Sequence, residues 1–216
     1  MTRIKSFAAP HKGLRNVISQ FSLRLGYTDF SDPTPLHRLK ALGEEMFTLL
    51  NDHVHTENEH TLKHLEQRAP GSSEHDRHDH ERLEEIQQAL EQQLIRFSGN
   101  ESSDDIHAYY LSFSLFQSQY FEHIYEEETV TERLLQEHFT DEELIQHRID
   151  IMQSIQFPVL LLWLKYIIPA QAGQESVAML KAFKANAPAE TFGLVLETIK
   201  KELVTDRYNS LLSHLS

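Results

Sequence analysis

The sequence predicts an all-α protein, an antiparallel up-down-up-down four-helix bundle with additional C-terminal helices. Three observations carry that reading. Glycine and proline are sparse, seven of each in 216 residues, so few positions punctuate the chain. Between these breaks the apolar residues recur at i, i+3, i+4 and i+7, the spacing of one face of an α-helix. Polar, turn-rich stretches fall where four long periodic segments would have to reverse, as they do in a bundle with short links.

The first helix is expected over about 11–25, just behind Pro10, with Leu14, Val17, Ile18, Phe21 and Leu25 on its apolar face. The link at 26–35 (GYTDFSDPTP) leads to a second helix over about 36–67, which stops before Pro70-Gly71. A third follows the cap signal Ser72-Ser73 and runs to about Phe97; the loop 98–105 (SGNESSDD) separates it from a fourth, over about 106–138. Residues 1–138 would then form the bundle, and 139–216 a helical extension that packs on it or presents an interaction face. Within the extension, helices are expected over about 141–157, 158–168, 175–185 and 188–214. Thr140-Asp141-Glu142-Glu143 and Pro188-Ala189-Glu190 read as helix starts. No internal repeat is evident.

Composition removes several classes of function. A formal net charge of -13 argues against a nucleic-acid surface, because phosphate binding needs a basic patch, and against an anionic membrane for the same reason. The chain has no cysteine, which excludes disulfides, thiolate zinc sites and thiol chemistry. The N-terminal residues MTRIKSFAAPHKGLRN carry no long apolar stretch, so no signal peptide is expected. The longest apolar run, Phe157 to Ile168, contains Pro158 and Lys165 and falls short of the roughly 20 residues a membrane span requires. A cytoplasmic protein is the expectation.

Histidine is the outlier, with fourteen in the chain. A metal ligand in a bundle must share the helix face that builds the core. In the second helix the stripe Leu39, Leu42, Met46, Leu49, Leu50 continues into His53 and Glu57, with Thr61 and Leu65 beyond; His55 and Glu59 have the same spacing but point away. In the fourth, Phe113, Phe116, Tyr120, Ile124, Leu134 and Leu135 define an inner arc that includes His123 and Glu127. His11 lies on the apolar side of the first helix. The third is ambiguous: Leu83, Ile86, Leu90, Leu94 and Phe97 extrapolate backward to Asp79, with His75 and His80 on opposite flanks. His55, His60, His64 and His78 read as a solvated face. Burying a carboxylate without compensation costs several kcal/mol, so inward His-Glu pairs on separate helices point to cations between them. A nitrogen and oxygen ligand set without thiolate suits iron, manganese or zinc.

These residues resemble the hemerythrin-like (HHE) cation-binding domain family. The matches, over roughly 8–138, are His11 in PHKGLR, His53 with Glu57 in HVHTE, His80 in DHERLEEIQQAL with Leu83, Ile86 and Leu90 at the family's offsets, and His123 with Glu127 in HIYEE. The resemblance implies His80 as the third-helix ligand. It implies a centre of two non-heme iron ions, replaceable by zinc or manganese, held by His11, His53, Glu57, His80, His123 and Glu127. Oxygen-carrying hemerythrins use two histidines on the third helix; if His75 is not the second one here, sensing, metal handling or redox chemistry is favoured over oxygen carriage. The stretch after residue 138 resembles the C-terminal extension of some bacterial members. The expected function is binding or sensing of dioxygen, nitric oxide or peroxide. The alternatives are a di-iron redox enzyme or iron-handling and repair protein, and a structural protein with a zinc-filled or empty site. The extension, with the run 157–168, offers a homodimer face.

Overall fold

A computed structural model describes residues 3–215. It is all-helical, with nine helices and no strand among the described residues. Helix α1 is Ala8–Tyr27. Helix α2 runs as Pro33–Thr56, a π-helical turn Glu57–Thr61, and Leu62–Arg68. Helix α3 is Glu74–Arg96. Helix α4 repeats the pattern of α2, as Ser103–Glu126, a π turn Glu127–Thr131, and Glu132–His138. The extension holds α5 (Asp141–Ser154), α6 (Phe157–Ala170), α7 (Gly173–Asn186), α8 (Ala189–Lys200) and α9 (Thr205–Ser213). None of the described helices is long and apolar enough to cross a membrane.

The helix starts are chemically explicit. Asp32 accepts from the Thr34 amide at 2.8 Å, with proline in the first turn of α2; Ser102 accepts from the Asp105 amide at 3.1 Å. At α5, Thr140 and Glu143 form a reciprocal capping box. The first turn of α1 is held from outside: the Glu132 carboxylate on α4 accepts from the amides of Ser6 (2.8 Å) and Phe7 (3.2 Å). That carboxylate offsets the donor end of α1 and fixes the height of His11 one turn later.

Helices α1, α2, α3 and α4 touch in a closed ring, and the C-terminal parts of α2 and α4 also meet across it. Their shared core holds Leu14, Phe21, Met46, Leu90, Phe113 and Phe116, and it takes in Trp163, Tyr166 and Ile167 from α6. Leu164 and Ile168, on the other side of α6, belong to a second cluster with Leu180, Val195, Ile199 and Leu211. Helix α6 thus faces two cores at once. It approaches α1 closely: a Cβ on Gly13 would lie 2.7 Å from Ile167 Cγ1 and 3.3 Å from the Ile167 amide nitrogen. Gly13→Ala is therefore expected to lose about 1 kcal/mol of stability, overpacking of about 1–3 kcal/mol outweighing a helix-propensity gain near 1. A urea-denaturation midpoint checks it.

Two expectations need correction. The last expected helix, 188–214, is broken into α8 and α9. The chain tightens at its break, with Lys201 and Glu202 amides bonding to the Thr198 and Ile199 carbonyls, and Val204 is extended ahead of α9. In α3 the inner face is centred on Asp76 and His80, not on Asp79, because Gln87 rather than Ile86 occupies the buried row. Gln87 is satisfied there by donating to the Asn51 side chain at 2.7 Å, so a polar residue on the core face displaced the apparent stripe.

Candidate metal centre

The two π turns follow from where four buried side chains must point. His53, Glu57, Thr61 and Leu65 are all buried at successive steps of four. In an α-helix of 3.6 residues per turn, three such steps drift by about 120°. A π turn inserts one extra residue and absorbs most of that drift. The same holds for His123, Glu127, Thr131 and Leu135, also all buried. Each π turn begins at the glutamate itself.

The structure brings His11, His53, Glu57, His80, His123 and Glu127 together, each at most 5% exposed. They form two groups whose ligand atoms lie within 4.8 Å of one another: His11, His53, Glu57 and Glu127, and His53, His80, His123 and Glu127. Both glutamates reach both sides. Glu57 Oε1 lies 3.6 Å from His11 Nε2 and 3.4 Å from His53 Nδ1, and its Oε2 lies 3.5 Å from His80 Nε2. Glu127 Oε2 lies 3.4 Å from His11 Nε2 and 3.8 Å from His53 Nε2. Glu127 Oε1 lies 3.4 Å from Nε2 of both His80 and His123.

These separations are too long for charge-assisted hydrogen bonds, which close to about 2.7–2.9 Å. They do suit an ion between the atoms: two ligands about 2.1 Å from one cation, at ordinary coordination angles, lie roughly 3.0–3.4 Å apart. Nε2 of His11, His53, His80 and His123, Oε2 of Glu57 and both Glu127 oxygens are buried without hydrogen-bond partners. Buried polar atoms are rarely left so. These buried groups could hold a metal ion.

Outer contacts orient the imidazoles. His11 Nδ1 donates to Glu128 Oε1 at 3.1 Å, and Arg15 donates to the same oxygen at 2.5 Å. His80 Nδ1 donates to Asn58 Oδ1, also at 3.1 Å. In both rings this leaves Nε2 facing the glutamates. His123 Nδ1 lies 3.8 Å from Asp79 Oδ2, beyond hydrogen-bonding distance.

Electrostatics sort the four rings into two kinds. Burial disfavours charge on His11, but Glu128, Glu57 and Glu127 outweigh it and raise its pKa to about 9. Burial is likewise overcome at His80 by Glu127 and Glu57, which raise it to about 10. At His53 burial prevails and the pKa falls well below the ordinary value; at His123 it falls to about 4 for the same reason. Glu57 resists burial through His11 and His80 and drops to about 2.

No protein-family model matches the chain, and no curated protein matches it.

The remaining sequence candidates lie outside. His55 and Glu59 are exposed. His75 is exposed and pairs with Glu126 at 2.8 Å, with Asp79 Oδ2 at 3.9 Å. His64, expected on a solvated face, is half-buried and stacks on His147 with ring centres 4.5 Å apart. Three features escaped sequence reasoning. Asp76 is buried one turn before His80 and accepts from the Thr131 hydroxyl at 2.7 Å; burial raises its pKa to about 6. Asn58 and Glu128 each directly follow a π-turn glutamate and orient the histidine of another helix. A search at fixed offset would have paired Asn58 with Glu128: His11 to His80 is 69 residues, while His53 to His123, Glu57 to Glu127, Asn58 to Glu128 and Thr61 to Thr131 are each 70.

Proposed function

We propose that the chain is a hemerythrin-like antiparallel four-helix bundle, α1 to α4, extended by C-terminal helices, that holds two non-heme iron ions and binds or senses dioxygen, nitric oxide or peroxide. One observation carries this reading. Glu57 and Glu127 each turn one oxygen toward the His11 side and the other toward the His80 side, the arrangement needed to bridge two cations.

In this reading His11 and His53 serve one ion and His80 and His123 the other. An iron pair would supply electrons and an open coordination position for a small oxidising molecule. The protein's part is to hold the imidazoles in one tautomer, through Glu128 and Asn58, and to neutralise charge with two carboxylates. Leu50, Leu83, Phe116 and Ile124, all buried, line the helices next to the ligands and limit water. Nitrogen and oxygen donors also admit zinc or manganese.

Metal analysis of protein purified anaerobically tests the proposal. Two irons per chain are expected, with His53→Ala losing metal and His55→Ala keeping it. Fewer than one metal per chain after reconstitution, with the helices intact, would end it. Glu128→Gln is expected to weaken one of the two ions by about 10–100-fold and leave the other unchanged, seen as a split of one binding transition into two.

A second reading, a di-iron redox enzyme, has a specific observation in its favour. Asp76 is a buried carboxyl with a pKa near 6, electrostatically coupled to Glu127 and Glu57, and could hold or release a proton near neutral pH. Tyr120 adds a buried hydroxyl without a partner, its ring centre 6.1 Å from those of His53 and His123. Loss of peroxide turnover in Asp76→Asn, with metal content intact, would separate this reading from simple binding.

A further inference from the structure

The C-terminal helices do more than cover the bundle. Between them and the ends of α1, α2 and α4 lies a cavity of about 250 Å³. Its inner end is formed by His53, Thr56, Glu57 and Thr61, so it abuts the candidate metal centre. Its walls are apolar and come largely from the extension, including Ile155 and Leu160, Trp163 and Ile167 of α6, and Met179 of α7. Ser6, His147 and Arg148 also line it. Arg148 is exposed and donates to the Lys5 carbonyl at 3.0 Å, which fixes a guanidinium near solvent.

A diatomic molecule would leave such a space mostly empty. A dry apolar cavity of about 150 Å³ holds benzene, so this one would take roughly ten carbon atoms in proportion. The apolar walls between the two polar ends offer such a chain dispersion contacts along most of its length. An exposed arginine beside an apolar cavity also selects the head group, because guanidinium pairs bidentately with carboxylate.

We infer that this cavity binds a medium-chain aliphatic carboxylate, its hydrocarbon chain among Ile155, Trp163, Ile167 and Met179, its carboxylate at Arg148, and its far end toward His53 and Glu57. This goes beyond the small-ligand reading of the centre and depends on it only for what the far end meets. Trp163 anchors the wall, its Nε1 donating to Asp52 Oδ2 at 2.6 Å.

Trp163 is also the only tryptophan in the chain, so its fluorescence reports occupancy directly. Decanoate, below its micellar concentration, is titrated into the full chain, both chelator-treated and iron-reconstituted. A saturable change in emission is expected in both, with decanol binding at least tenfold more weakly. Arg148→Ala should abolish that preference while leaving decanol binding unchanged. Met179→Phe, which puts a rigid ring across the cavity, should weaken decanoate at least tenfold; its thermal midpoint shows whether it is folded. An unchanged emission, equal binding of acid and alcohol, or wild-type affinity in folded Met179→Phe would overturn the inference. Decanoate binding in protein that takes up no iron would sink the metal reading and leave the cavity assignment standing. Two irons with no decanoate response would do the reverse.

Discussion

Replacing Glu127 by alanine is expected to remove both ions of the proposed pair, not one. The carboxylate is buried at 0% exposure, and its two oxygens divide between the two groups of imidazoles, at 3.4 Å from His11, His80 and His123 and 3.8 Å from His53. Alanine withdraws a ligand atom and half a compensating charge from each side at once. Second-sphere changes alone weaken metal sites by about 10–100-fold, so loss of a bridging ligand should exceed about 100-fold for each ion. Glu127→Gln keeps the shape and one acceptor but not the charge, and should retain an intermediate affinity. Helix content should survive in both, because Leu62, Leu65, Leu135 and the core around Phe116 are untouched. Metal analysis with circular dichroism checks the pair. An alanine variant that still binds two ions at wild-type affinity would rule out a bridging role for this residue.

What was legible in the sequence follows from the period of the signal. Along α1 the row Leu14, Val17, Ile18, Phe21, Leu25 is uninterrupted, and the structure buries all five. His53 and Glu57 extend such a row directly, which is why they could be separated from His55 and Glu59. In α3 the same reasoning failed to choose a ligand, since the buried Gln87 broke the apolar row and pulled its extrapolated centre toward Asp79. Asp76 was hidden by the same shift. The π turns were invisible for a different reason: a one-residue insertion leaves no compositional mark, and only the demand that four residues spaced by four all face inward reveals it.

The offset of 69–70 residues between the ligand sets is a weak signal of another kind. It joins few identical residues, and the flanking stretches differ: ENEHT against EETVT in the π turns, and Asn58 against Glu128 at the orienting position. That last difference is chemical. A neutral amide supports His80, whereas a carboxylate paired with Arg15 supports His11, so the two halves of the centre are built alike but charged differently. The cavity could not be read at all, because it is bounded by side chains from α1, α2, α4, α5, α6 and α7, whose juxtaposition is a property of tertiary packing.

The metal-free protein is expected to lose stability at alkaline pH, whereas the metal-loaded protein should hold it. Without metal, His11 and His80 are raised from 6.5 to about 9 and about 10, because the carboxylates around them overcome the penalty of burial. A group raised on folding contributes stability that is complete below its unfolded pKa and is lost as pH climbs through the folded value. His53 and His123 are pushed the other way and are already neutral in the folded protein at pH 7, so above it they add only the small opposing slope of their unfolded-state titration. The metal-free protein should therefore lose thermal stability between pH 7 and 10, by a few kcal/mol in order of magnitude. A cation must displace the protons that His11 and His80 hold on the nitrogens facing Glu57 and Glu127. One proton released per ion steepens each ion's apparent binding constant about tenfold per pH unit, and the combined constant for both ions about 100-fold, flattening as pH nears 9. At fixed free metal this tightening offsets the loss in the metal-free fold, so the loaded protein's stability stays nearly level over the same range. Melting curves at pH 7, 8 and 9, with and without chelator, should diverge as pH rises. Parallel curves, or a chelator competition constant that does not change between pH 7 and 8, would show that these imidazoles do not exchange protons for metal.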